Sequence, residues 1–266
     1  MFGTAPTLGN PVAVVLDAEG LTEEAMAGLA RWTNLSETTF VRPPSDPGAD
    51  YEVRILTPGG ELDFAGHPTL GTCHAWLAAG GRPAATDVVV QQSRAGLVPV
   101  RTDRPLAFAA PPTVRTDPEP AELAAVLGAL GIDRGTVLRA ALLDNGTAWL
   151  TLQLADAAAV LALDPDHAAL RSLPKVGVVG ATGGGDPALE VRAFAASVGI
   201  TEDPVTGSLQ ASAAQWLMDE GQVPSSYAAA QGRCIGRDGR VVIERVGEQV
   251  WVGGATDTVI EGTVQL

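Results

Sequence analysis

The chain is poor in the residues that most often carry covalent or metal chemistry. Its 266 residues include two cysteines, Cys73 and Cys234, three histidines and a single lysine, Lys175. Two cysteines are too few for a disulfide framework or a structural zinc site, and both lie outside the loops that would present catalytic thiols. We therefore interpret both as ordinary residues. Schiff-base chemistry would depend on Lys175 alone, and its place at the start of an apolar strand-like run argues against that role.

Excess positive charge and long apolar runs are also absent. The net charge of −14 argues against nucleic acid as a partner, because phosphate binding requires clustered cations. No apolar run approaches the roughly 20 residues of a membrane span, and residues 1–4 do not resemble a secretory signal. We therefore expect a cytoplasmic protein that binds neither nucleic acid nor membrane.

What is present is a repeated order of strand, tight loop and helix. The first copy runs from residue 52 to residue 81 and the second from residue 190 to residue 221. In each loop a polar residue precedes proline, His67 in one and Asp203 in the other, which suggests that these two residues are equivalent. The repeat predicts an α+β fold of two pseudo-symmetric lobes, each a mostly antiparallel sheet wrapped around a central helix.

Prolines at 111, 112, 118 and 120 mark the best linker between the lobes. We expect an N-terminal lobe at 1–114 and a C-terminal lobe at 115–266, with the active site in the cleft between them. Whether the last strand returns to the N-terminal lobe is left open.

Four local patterns add further expectations. Thr22 followed by two glutamates predicts the start of a helix that ends near Asn34. A helical region is expected at 165–173, and a strand at 234–235 that pairs with 241–243. The three glycines at 183–185 precede a strand rather than a helix, so they indicate a hairpin turn and not a nucleotide-binding loop.

The two loops are candidate binding sites for a small carboxylate. Both are built from small residues, which leave backbone N–H groups accessible where the helix dipole favours an anion. The candidates are Gly66, Thr69 and Gly71 in the first loop, and Thr206, Gly207 and Ser208 in the second. The alternative is that His67-Pro68 and Asp203-Pro204 only begin helices.

The histidines do not suggest a metal. His67 and His74 are seven residues apart on one predicted helix, about 10 Å, which is too far for one ion. No other metal-ligand spacing is present, so no metal site is expected. His74 is interpreted as a helix-face residue, whereas His67 could polarise or protonate a substrate oxygen.

Glu37 interrupts an otherwise β-like segment at 35–41. It either faces solvent or points into the site, and the pattern does not decide between these alternatives. In the second case partial burial would raise its pKa and suit it to proton transfer near neutral pH.

The chain resembles the PhzF-like (phenazine biosynthesis) family, whose fold is that of diaminopimelate epimerase. The resemblance rests on four main blocks, with weaker agreement at 231–233 and 252–255. These blocks are Gly9-Asn10-Pro11-Val12-Ala13-Val14, Ser36-Glu37-Thr38-Thr39-Phe40-Val41, Phe64-Ala65-Gly66-His67-Pro68-Thr69-Leu70-Gly71, and Gly199-Ile200-Thr201-Glu202-Asp203-Pro204-Val205-Thr206-Gly207-Ser208.

The resemblance implies roles for these residues. Glu37 would be the acid/base, His67 and Asp203 would assist it, and Ser36 and Ser208 would shape the site. The loops at Gly66 and Gly207 would hold the substrate.

The resemblance also implies a homodimeric, cofactor-free isomerase of secondary metabolism. It would act on a small cyclic carboxylic acid such as 2,3-dihydro-3-hydroxyanthranilate. A hydrolase or C–C lyase that uses the same glutamate, and a binding protein that has lost catalysis, remain as alternatives.

Overall fold

A computed structural model describes residues 1–103 and 105–266. The chain forms two compact units. The first contains Met1–Ala109 and Gly253–Leu266, and the second contains Ala110–Val252.

The first unit is a sheet with two helices. Its helices are α1 (Glu23–Thr33) and α2 (Gly66–Ala78), and its strands are β1 (Ala13–Val15), β2 (Thr38–Arg42), β3 (Tyr51–Thr57), β4 (Gly60–Leu62), β5 (Val88–Ser93), β6 (Gly96–Arg101) and β7 (Ala107–Ala109). The strand order is β1-β2-β3-β5-β6-β7, with β4 paired to β3 alone. The pairs β1–β2 and β3–β5 are parallel, and the others are antiparallel.

Local chemistry explains α1. The Ala25 N–H donates to Thr22 Oγ1 at 3.2 Å, which confirms Thr22 as the N-cap. Two glutamates in the first turn complement the positive end of the helix dipole. The helix ends at Asn34, whose φ of 52° is the left-handed conformation that asparagine tolerates better than most residues.

The second unit contains helices α3 (Pro120–Leu130), α4 (Ala157–Leu161) and α5 (Gly207–Asp219). Its strands are β8 (Val114–Thr116), β9 (Val137–Asp144), β10 (Ala148–Leu154), β11 (Val176–Ala181), β12 (Leu189–Phe194), β13 (Ser226–Gln231), β14 (Gly239–Val246) and β15 (Gln249–Gly253). The order is β15-β14-β13-β12-β11-β10-β9-β8. The pairs β10–β11 and β12–β13 are parallel, and β9–β10, β11–β12 and β13–β14 are antiparallel.

The two units repeat one topology. In each, a parallel pair is followed by an antiparallel pair and then by a second parallel pair, and the central helix connects the strands of that second pair. The first eight residues of α2 are all buried, as are most residues of α5. Strands of the same unit pack against each central helix: β1, β2, β5 and β7 against α2, and β9 and β14 against α5. The predicted α+β fold of two pseudo-symmetric lobes is confirmed.

The register of the repeat differs from the prediction. Both central helices are 13 residues long and begin with glycine, so Gly66 corresponds to Gly207 and His67 to Ser208. The expected equivalence of His67 and Asp203 is wrong. The two prolines are not equivalent, because Pro68 lies inside the first turn of α2 whereas Pro204 precedes the N-cap Thr206.

Three other local expectations have definite outcomes. The glycine turn at 183–185 is confirmed, since all three residues have positive φ and join the antiparallel strands β11 and β12. The region 165–173 forms only a 3₁₀ turn at Ala169–Ser172, and the helix of this region is the shorter α4, capped by Asp156. The predicted strand at 234–235 is wrong, because these residues belong to a 3₁₀ turn, Arg233–Ile235.

Each unit has its own apolar core. In the second unit, α3 and α4 pack on β10 and β11 through leucine and valine side chains, including Leu130, Leu152 and Val178. In the first unit, Met26 and Leu29 of α1 pack against Phe40. Among the described residues, no helix has both the length and the apolar character needed to cross a bilayer.

Candidate active site

Glu37 and His67 form a close pair in the first unit. Glu37 directly precedes β2, and His67 is the second residue of α2. Glu37 Oε2 lies 3.1 Å from His67 Nε2, and the two residues are only 9% and 4% exposed. The solvent-facing alternative for Glu37 is therefore wrong, because the carboxylate is buried against an imidazole.

The imidazole of His67 is held from its other side. Asn10 Nδ2 and His67 Nδ1 are within hydrogen-bond distance at 3.3 Å, and Asn10 is buried. His67 Nε2 is also buried, and among the described residues no acceptor meets it with hydrogen-bond geometry. This nitrogen therefore lies beside Glu37 with its own hydrogen-bonding capacity still available to a substrate.

Ser36 adds a second available polar group beside Glu37. Its Oγ is buried and has no hydrogen-bond partner within residues 1–103 and 105–266. A buried hydroxyl without a partner costs about 1–3 kcal/mol, so a ligand that bonds to it recovers part of this free energy.

Thr69 is engaged within the protein. Its Oγ1 donates to the Ala65 carbonyl at 2.9 Å and accepts from Gln91 Nε2 at 3.0 Å. The Tyr51 hydroxyl extends this series of hydrogen bonds by donating to Gln91 Oε1 at 3.1 Å. These bonds tie the first turn of α2 to β5 and so fix the position of His67.

The glycines of α2 allow close packing at this end of the helix. A Cβ on Gly71 would overlap Val12 and the Met1 side chain, so a larger residue would displace the segment before β1. Gly66 is buried as the first helical residue. A substrate-binding role for Gly66, Thr69 and Gly71 remains a prediction.

In the second unit, Asp203 belongs to a hydrogen-bonded loop before α5. Thr206 Oγ1 donates to Asp203 Oδ2 at 2.5 Å, and both residues are buried. Gln231 of β13 lies beneath them. Its Nε2 donates to the Asp203 carbonyl at 3.0 Å and to Thr206 Oγ1 at 2.8 Å, while its Oε1 accepts from the Thr206 N–H at 3.1 Å.

Ser208 is the second residue of α5, directly after Gly207. Its Oγ accepts from Trp149 Nε1 at 3.1 Å, and its carbonyl accepts from Asn145 Nδ2 at 2.9 Å. These contacts fix the first turn of α5 against the hairpin formed by β9 and β10.

The structure thus groups the predicted residues within each unit. Ser36, Glu37 and His67 lie together in the first unit, and Asp203, Thr206 and Ser208 surround the start of α5 in the second. Sequence reasoning assigned no function to Asn10 or Gln231. Each stood in a block that carried the family resemblance, and each is a buried amide, but only the fold shows which side chains they contact.

Other chemistry has less support. Among the described residues, no group of three or more histidine, cysteine, aspartate or glutamate side chains is arranged to hold a metal ion. Burial raises the pKa of the Cys73 thiol to about 12, so it stays protonated and poorly nucleophilic near neutral pH. A carboxylate beside an imidazole instead suits the transfer of a proton.

The chain was compared with known proteins. A family model described as phenazine biosynthesis-like protein (PhzC-PhzF) matches residues 1–262. The trans-2,3-dihydro-3-hydroxyanthranilate isomerase of Pseudomonas aeruginosa is 36% identical over 260 residues, covering 94% of this chain and 90% of the relative. Antisense-enhancing sequence 1 of Schizosaccharomyces pombe is 34% identical over 282 residues, covering 98% of this chain and 95% of the relative.

A solved structure supports the same assignment of fold. The Bacillus anthracis phenazine biosynthesis protein of the PhzF family superposes with a TM-score of 0.81 at 24% identity, covering 95% of this chain and 92% of that one. The expected diaminopimelate epimerase-like fold is thereby confirmed. Because the family match spans nearly the whole chain, the chain belongs to the phenazine biosynthesis-like protein family and is a PhzF-type isomerase.

Proposed function

We propose that this isomerase moves a proton within a small cyclic carboxylic acid of secondary metabolism, with Glu37 as the acid/base. The observation that carries the proposal is the buried pair of Glu37 Oε2 and His67 Nε2 at 3.1 Å. Several relatives bear the name trans-2,3-dihydro-3-hydroxyanthranilate isomerase, which makes that compound the first substrate to test.

The chemistry requires one base that later acts as an acid. Glu37 removes a proton from a carbon that is α or vinylogous to the substrate carboxylate, so a C–H bond breaks and its electron pair moves into the conjugated system. Glu37 then returns the proton to another carbon on the same face, and a new C–H bond forms. No cofactor is needed, because a carboxylate alone can carry the proton in both directions.

His67 would stabilise the negative charge that develops between these two steps. Its Nε2 is buried beside Glu37 and makes no hydrogen bond of good geometry among the described residues, so it can serve a substrate oxygen. A fixed donor in a water-poor site is worth more than the same donor in water. The backbone N–H groups at the start of α2 favour an anion for the same electrostatic reason.

Asp203 and Ser208 are proposed as further contributors from the second unit. The Asp203 carboxylate is fixed by Thr206, and Ser208 lies in the first turn of α5. Substitution of either residue tests its contribution separately from that of Glu37.

The decisive experiment replaces Glu37 with glutamine. Glu37→Gln keeps the size of the side chain but removes the base, so we expect kcat on trans-2,3-dihydro-3-hydroxyanthranilate to fall by about 10³-fold while substrate affinity is retained. The matched control is Glu190→Gln, which alters another buried carboxylate, one that pairs with Arg233. Turnover by Glu37→Gln at the wild-type rate would refute the assignment.

Isotopes test the path of the proton. In D₂O, a return of the same proton by Glu37 leaves part of the product unlabelled, whereas full exchange of the carboxyl group with solvent labels every product molecule. Mass spectrometry of the product distinguishes these results. Formation of a hydrolysed or cleaved product would instead support the hydrolase or lyase alternative.

Homodimerisation and a cytoplasmic location are part of the same proposal. They rest on the family resemblance, and light scattering of the purified protein tests the first. A single molar mass of 27.2 kDa at all concentrations would refute the dimer.

A further inference from the structure

The two nitrogens of the His67 ring have different surroundings. Nδ1 lies 3.3 Å from Asn10 Nδ2, and Nε2 lies 3.1 Å from Glu37 Oε2. A neutral imidazole carries one proton, so the partner of one nitrogen determines the state of the other.

The backbone of Asn10 is itself held in place. The residue is only 1% exposed, and its backbone N–H donates to the Met1 carbonyl at 2.9 Å. The preceding residue, Gly9, passes so close to Met1 and Gly3 that a Cβ there would overlap their backbone atoms. Pro11 follows and restricts the backbone further. The Gly9-Asn10-Pro11 motif therefore delivers one amide side chain to one ring nitrogen.

We propose that Asn10 is a positioning residue that selects the tautomer of His67. The amide nitrogen of asparagine can only donate a hydrogen bond, so Nδ1 must accept, and the proton of the neutral ring resides on Nε2. The N–H donor of His67 is thereby fixed on the side of Glu37. Asn10 does not touch the reacting atoms in this account, and it acts through His67.

The consequence for catalysis rests on the proposed function. Nε2–H next to Glu37 supplies a hydrogen-bond donor to the substrate, which the opposite tautomer lacks. Loss of the correct tautomer should therefore lower kcat more than it raises KM, since the donor matters most when negative charge develops.

Nitrogen-15 NMR of labelled histidine reads the tautomer directly. The chain has only three histidines, and a His67→Gln variant identifies the signals of His67. In the wild-type protein with a neutral His67 ring, we expect Nε2 to carry the proton and Nδ1 to be bare. The opposite pattern in the wild-type spectrum would overturn the inference, and this measurement needs no variant of Asn10.

Two variants of Asn10 then test the cause. Asn10→Asp replaces the donor with an acceptor, so the proton should move to Nδ1 and kcat should fall by about 10²-fold. Asn10→Leu removes the donor without supplying an acceptor and leaves the Glu37 carboxylate 3.1 Å from Nε2, so the Nδ1–H tautomer should gain population but less than in Asn10→Asp. An unchanged tautomer in both variants would refute the role of Asn10.

A control separates this effect from general loss of a buried hydrogen bond. Thr72 of α2 donates to Thr39 Oγ1 at 2.8 Å, in the same unit. Thr72→Val should leave the tautomer of His67 unchanged. The inference and the proposed function fail separately, since the NMR result does not depend on turnover and the Glu37→Gln result does not depend on the tautomer.

Discussion

Truncation of Gln231 should destabilise the protein more than the same truncation of Gln91. The two glutamines lie on corresponding strands, β13 and β5, and both are fully buried. Because the replaced side chain and its burial are alike, Gln231→Ala and Gln91→Ala create similar cavities. The difference between them reports on hydrogen bonds.

The magnitude follows from the number of bonds at each site. Gln231 makes four hydrogen bonds. Its Nε2 donates to the Asp203 carbonyl and the Thr206 hydroxyl, and its Oε1 accepts from the Thr206 N–H and Gln210 Nε2. Gln91 makes two, one from the Tyr51 hydroxyl and one to Thr69 Oγ1. At about 1 kcal/mol for each net hydrogen bond, the two additional bonds predict a difference of about 2 kcal/mol in the free energy of unfolding.

Urea unfolding measures this difference. The shift of the midpoint, multiplied by a shared m-value, gives the loss of stability for each variant, and circular dichroism and tryptophan fluorescence report it independently. Hydrogen exchange adds a local measurement, since the Thr206 N–H should lose protection in Gln231→Ala and keep it in Gln91→Ala. If Gln91→Ala were as destabilising as Gln231→Ala, or if Thr206 kept its protection in both, the reasoning would be refuted.

Two further predictions concern the burial of a carboxyl group and of a thiol. Burial raises the pKa of the Glu190 carboxyl above its ordinary value, despite the nearby Arg233, so wild-type stability falls as pH rises from about 4.5 through that higher pKa. Glu190→Gln should therefore match the wild type in Tm near pH 4 and exceed it near pH 8, and a constant Tm difference over this range would contradict the argument. For the thiols, Cys73 is buried and Cys234 is exposed, so a thiol reagent should modify one cysteine in the native protein and two in urea. If Cys73 were labelled in the native protein at a rate similar to that of Cys234, the Cys73 thiol would not be buried.

Much of the fold was accessible from local patterns. Thr22 predicted the start of α1 because a side-chain cap is a local interaction, and the glycines at 183–185 predicted a turn because positive φ is a property of single residues. The repeat of strand, loop and helix predicted two similar units, because each copy has to bury one central helix. Two matching prolines gave the wrong register for that repeat, since proline is compatible with several positions around a helix start.

For the site, the sequence by itself determined which chemical groups were available: Glu37, His67 and Asp203 in a chain with one lysine and two cysteines. It could not determine the surroundings of those groups. Glu37 and His67 are separated by the 29 residues 38–66, which must fold before the two side chains meet, and Asn10 reaches the same imidazole from 57 residues away. Hydrogen bonds between distant residues depend on strand pairing and helix packing, so only the tertiary structure decided that Glu37 is buried beside an imidazole and that the Asn10 amide lies against the other nitrogen of that ring.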